Sequence, residues 1–187
     1  IIGTREAGIY GAASKIAGIV TIGLLFANSV LAPYISELFH NNKVHYLQYL
    51  VTYSTRIASI IAVLILLSFY FYGEIILKLF GEEFTVGHNA MVILSIGMIL
   101  NVIAGSVGLL MSMTGHQKQA VSFFITGCII NIVLNLLFIP RYGIEGAAIA
   151  TAISIAFWNI SLAIYIKYKL SINSTIFNTL KYVNKNS

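Results

Sequence analysis

The chain has 187 residues, of which 58% are hydrophobic and 9% charged, and its formal net charge is +5. A water-soluble domain carries about 25% charged residues because its surface faces water, so this composition speaks against a soluble enzyme and for a chain solvated by lipid. The positive charge is thinly spread, which fits membrane orientation rather than nucleic-acid binding, and a single cysteine, Cys128, excludes an intrachain disulfide.

A bilayer core about 30 Å thick takes roughly 20 residues at ~1.5 Å each. Lys15 and Glu37 enclose 21 uncharged residues, predicting a first span at about 15–37. Arg56 and Glu74 enclose only 17, so the second span, about 48–73, must begin upstream of the arginine. The long uncharged stretch between Glu83 and Lys118 supplies a third at about 91–114. Lys118 to Arg141 encloses 22 residues and Glu145 to Lys167 encloses 21, predicting spans at about 119–140 and 145–167. These runs do not alternate in the way a transmembrane β-strand must. The expected fold is all-α, a polytopic membrane bundle of five transmembrane helices within residues 1–170. A polar cytoplasmic tail, 171–187, is expected to fray or to lie at the membrane interface.

Five passes put successive loops on opposite sides. One side then holds Lys43, Arg56, Lys118, Lys167, Lys169, Lys181 and Lys185, and the other holds Arg5, Lys15, Lys78 and Arg141. The positive-inside rule makes the first side, with the C-terminal tail, cytoplasmic. The N-terminal end then faces outward, which implies at least one helix upstream. With an isoleucine at position 1 and no leader sequence, the chain is expected to be a fragment of a longer protein.

Helices in lipid associate through close packing and interhelical hydrogen bonds, because no hydrophobic effect drives them together. Small residues at four-residue spacing are therefore candidate contacts: Gly3-Ala7-Gly11, Gly97 with Asn101, Ala104 with Gly108, Ala147 with Thr151, and Ala150 with Ser154. Asn131 and Asn135 share one helix face and are expected to point into the bundle, as packing glue or as substrate contacts. Pro140 is expected to end that helix, and Gly143 with Gly146 to allow a tight hairpin into the next. Enzyme constellations are missing: the sequence has no aspartate, no phosphate-binding glycine loop and no nucleophile elbow. His40, His45, His88 and His116 lie in loops without a carboxylate at ligand spacing, so neither a metal nor a cofactor is expected. Lys15 and Arg56 are cations near helix ends, either snorkelling to headgroups or serving function.

The segments "AGIYGAASKI", "ANSVLAPYIS", "LKLFGEEF", "ILSIGMILN", "LLMSMTGHQK" and "NIVLNLLFIPRYGIEGAAIAT" occur in that order. Across about residues 3–168 the chain resembles the C-terminal half of polysaccharide-export flippases, members of the multidrug, oligosaccharidyl-lipid and polysaccharide exporter superfamily. The resemblance implies a two-lobe transporter whose N-terminal lobe is missing here. It also implies alternating access and an undecaprenyl-diphosphate-linked oligosaccharide substrate, carried across a bacterial cell membrane for surface polysaccharides such as capsule or O-antigen. On it, Lys15, Arg56, Asn28, Asn101, Asn131 and Asn135 are candidate substrate-binding residues, with membrane lipids as the surrounding partner. A multidrug or peptidoglycan-precursor exporter of the same superfamily, or a non-transporting assembly subunit, remains an alternative.

Overall fold

A computed structural model describes residues 3–176, so Lys181 and Lys185 of the expected tail lie outside the described residues. Within these bounds every regular element is helical. Helix α1 (Thr4–Gly18) and helix α2 (Ile22–His40) are joined by one 3-10 turn, Ile19–Thr21, into a single rod. Helix α3 (Val44–Lys78) returns, and a 3-10 segment, Glu82–Gly87, leads into α4 (His88–Ala104). Helix α5 (Val107–Met113) follows after a break, and α6 (Gln117–Leu170) closes the chain. Gly143 is non-helical (φ 57°, ψ −131°) and divides α6 into two arms, 117–142 and 144–170.

The arms fold back on each other. Phe124 meets Trp158 edge to face with ring centroids 4.7 Å apart, and Gly127 leaves room for the same indole. Among the described residues, four helical stretches are long and apolar enough to cross a bilayer: 4–40, 44–78, 82–104 and the doubled 117–170. Along the first arm of α6, Ile125, Ile129, Ile132 and Leu136 are each more than half exposed. An apolar stripe of that kind belongs against lipid. The fold is an all-α membrane helix bundle.

Turn chemistry explains two of the reversals. After α2, Asn42 takes the left-handed conformation (φ 57°), and the Lys43 N–H reaches back to the Leu38 carbonyl at 2.9 Å. After α5, Gly115 does the same (φ 80°) while His116 N–H donates to Met111 O at 2.9 Å. Both are Schellman closures, which satisfy orphan helix carbonyls.

Three details differ from expectation. The first rod starts at Thr4 rather than near residue 15; its 37 residues measure about 55 Å, more than a bilayer needs. Charges limit how much of a rod lipid can cover, but they do not stop a helix. The stretch 91–114 is two helices, broken at Gly105-Ser106. Pro140 does not end its helix, since membrane helices tolerate an interior proline where neighbouring groups satisfy the freed carbonyl; Gly143 ends it.

The interior has two apolar clusters. One gathers Ile9, Ala13, Ile16, Leu24, Ala62, Met91 and Leu94. The other gathers Leu31, Ile35, Leu47, Val51, Leu110, Leu162 and Ile172. Of the small-residue candidates, Gly97 makes a close helix contact: a methyl there would lie 2.8 Å from the Ala152 backbone. The stripe Gly3-Ala7-Gly11 does not: Gly3 and Ala7 are exposed, and a methyl on Gly11 would meet nothing within 4 Å. Among the described residues no helix packs closely on that stripe.

Candidate functional site

The six candidate binding residues occupy four separate places. Asn28 and Asn101 come together. They line a cavity of about 230 Å³ with Thr21, Ser106, Asn159 and the Phe124/Trp158 pair. Along the first rod Asn28 falls between the two apolar clusters, after Leu24 of one and before Leu31 of the other. The cavity opens at the α4–α5 break, where Gly105 adopts φ 80° and ψ −155°, a conformation almost confined to glycine. Interrupted helices at membrane depth are tolerated where their backbone is buried in protein or lines a cavity. Two buried polar atoms of this lining, Asn28 Oδ1 and Ser106 Oγ, have no hydrogen-bond partner among the described residues.

On the other side of the break lies the segment after α6. Residues 171–176, expected to fray, instead run along α3 with Ile172 and Ser174 buried. The Gln48 side chain clamps the Asn173 backbone from both sides, its amide donating to the carbonyl and its oxygen accepting from the N–H. Thr55 Oγ1 donates to the Ser174 carbonyl at 3.2 Å, and Arg56 Nε donates to the Ile176 carbonyl at 3.3 Å. Extended backbone needs external partners for its polar groups inside a bundle, and α3 supplies them. Arg56 is thus half-buried within α3, beside this strap, rather than snorkelling at a helix end.

Asn131 and Asn135 form a third place. Asn135 Nδ2 donates to Asn131 Oδ1 at 2.9 Å, Asn131 Nδ2 donates to Thr151 Oγ1 at 3.4 Å, and Thr151 shares a 2.9 Å hydrogen bond with the Tyr10 hydroxyl. The chain of four ties both arms of α6 to α1. Replacing Asn131 with leucine removes two links, each worth about 0.6 kcal/mol in a membrane bundle. Reversible unfolding in mixed micelles should show a loss of about 1 kcal/mol, and a double-mutant cycle with Thr151→Val should show coupling.

Lys15 lies apart from the other candidates, exposed in the last turn of α1 and within the rod rather than at its end. At the opposite end from the strap, Arg5 pairs with Glu83 at 2.9 Å and Lys78 with Glu82 at 2.7 Å, while Asn89 donates to Glu145 at 2.9 Å. These contacts are exposed and contribute little. Among the described residues no group of three metal-ligating side chains occurs.

Sequence reasoning missed Asn159, an amide in an apolar run like Asn131, which the same argument would have found. It also missed Gln48, Thr55, Ser106 and Tyr10, whose roles depend on the strap and on the break. Nothing local marks them.

The chain is similar to a probable low-salt glycan biosynthesis flippase of Haloferax volcanii, with 25% identity over 169 residues, covering 88% of this chain and 35% of that protein. It is also similar to a capsular polysaccharide biosynthesis protein of Staphylococcus aureus, with 30% identity over 160 residues, covering 82% of this chain and 39% of that one. The chain therefore spans little more than a third of the length of the curated relatives it matches. No protein-family model matches it, and no solved structure matches it.

Proposed function

We propose that this bundle is part of a flippase that carries undecaprenyl-diphosphate-linked oligosaccharide repeat units across a bacterial cell membrane by alternating access, without catalysing a reaction. The observation that carries this reading is the similarity, along most of the chain, to two proteins named for glycan flipping and capsular polysaccharide biosynthesis. Physical chemistry supports it. A lipid-embedded bundle with hydrogen-bonding side chains in its interior can take a hydrated headgroup while the lipid tail stays in the bilayer.

The parts divide by charge. Arg56 is the cation best placed for the diphosphate, since guanidinium binds phosphate oxygens in a fixed fork. Binding there requires the strap, whose Ile176 carbonyl now accepts from Arg56 Nε, to yield. The tail side of the bundle is assigned to the cytoplasm by its excess of lysine and arginine.

The test is complementation. Expressed as part of its full-length protein in a bacterium that lacks its own flippase but makes the lipid-linked repeat unit, it should restore surface polysaccharide. Arg56→Ala should lower the restored amount about tenfold, the equivalent of one charge-assisted contact. A well-expressed protein that leaves the precursor on the inner leaflet rules the reading out.

A further inference from the structure

We propose that the cavity at the α4–α5 break is a binding site for one neutral sugar ring. This deepens the transport reading and rests on it for the source of the sugar. The volume of about 230 Å³ gives room for a single sugar ring. Among the described residues no charged side chain lines it, which disfavours a phosphate or an ammonium group.

The polar groups point to hydroxyls. Among the described residues Asn28 Oδ1 is a buried acceptor with no donor, and Ser106 Oγ, on a residue 2% exposed, is a buried hydroxyl with no partner. Leaving such atoms unpaired is costly, and a native protein keeps them only where something else satisfies them. Asn101 and Asn159 add amides to the same lining. A ligand that serves this set must both donate and accept at several points around a small frame, which sugar hydroxyls do. Phe124 and Trp158, with Leu25 and Leu109, add apolar surface to the lining, which suits the C–H face of a pyranose.

Two sources share this chemistry: a sugar of a lipid-linked headgroup and a free monosaccharide. Trp158 is the only tryptophan in the chain and lines this cavity, so a ligand bound there should change its fluorescence. The 187-residue chain, purified in a detergent without a sugar headgroup, is titrated with methyl glucoside, with N-acetylglucosamine and with octyl glucoside. A saturable change is expected in the millimolar range for at least one probe. Tighter response to octyl glucoside assigns the site to a lipid-linked sugar, and equal response to methyl glucoside assigns it to free sugar. Inorganic phosphate and choline should give none.

Ser106→Ala removes one oxygen without touching a helix interior and should weaken binding about fivefold. Asn28→Leu should abolish it, with circular dichroism confirming that the helices remain, and Ile132→Val, exposed on the first arm of α6 and outside the cavity, should leave it unchanged. Absence of saturation, or an equal response from Asn28→Leu, shows a cavity holding water only and overturns the site. Glycan transport without sugar binding would overturn the site but not the transport reading. Sugar binding in a chain whose full-length protein transports nothing would do the reverse.

Discussion

Gly105→Ala is expected to destabilise the bundle by about 3 kcal/mol and to release the strap from α3. Two costs add. The backbone at φ 80° and ψ −155° is essentially closed to a residue with a side chain, at about 1–3 kcal/mol. The new methyl would also run into the Ser174 carbonyl oxygen and lie 2.5 Å from Thr55 Oγ1. Neither partner can step aside cheaply, because Thr55 Oγ1 is held to the Val51 and Ser174 carbonyls and Asn173 is clamped by Gln48. Overpacking of this sort costs about 1–3 kcal/mol. The strap should therefore lift, and hydrogen exchange at residues 172–176 should rise more than at α3 itself. Gly108→Ala, three residues on, is the control: a methyl there meets nothing within 4 Å, and alanine should gain up to about 1 kcal/mol. If both variants unfold alike, the seat of the strap is not at Gly105.

How much of this was legible beforehand follows from what each feature depends on. The all-α membrane fold depends on composition and on run length between charges, both plain in the sequence. Asn131 and Asn135 were legible because an amide inside an apolar run must find a partner, and it does, in each other and in Thr151. The break at Gly105 was not, because Ala104-Gly105-Ser106 reads as well as a small-residue helix contact as it does as a break. What decides is a carbonyl from residue 174, far along the chain, pressing on Gly105. The strap was illegible for the matching reason: "SINS" looks polar and loose until Gln48 and Thr55 are in place to bond its backbone. Lys15 was misplaced because charge was taken to mark a helix end.

Gly146→Ala tests the hairpin on which the cavity wall depends. A methyl at Gly146 would run into the Phe138 carbonyl oxygen and lie 2.6 Å from its carbon and 3.0 Å from the Ile139 nitrogen. These are backbone atoms inside a helical arm, so the clash cannot be relieved by rotating a side chain. The arms of α6 must part, and the movement should carry along the second arm to Thr151 and Trp158. The 3.4 Å hydrogen bond between Asn131 and Thr151 is already long and should break first. The expected loss is about 3 kcal/mol, combining the close contact with that bond. The Trp158 emission should shift as the indole loses its packing on Gly127 and Phe124. Gly11→Ala separates this from a general effect of adding methyls to helices, since that position faces open space and should tolerate or favour alanine. An unchanged melting transition and an unshifted tryptophan in Gly146→Ala would mean that the arms do not touch at their turn. The sugar cavity, whose aromatic wall is built from both arms, would then lose the support that holds its shape.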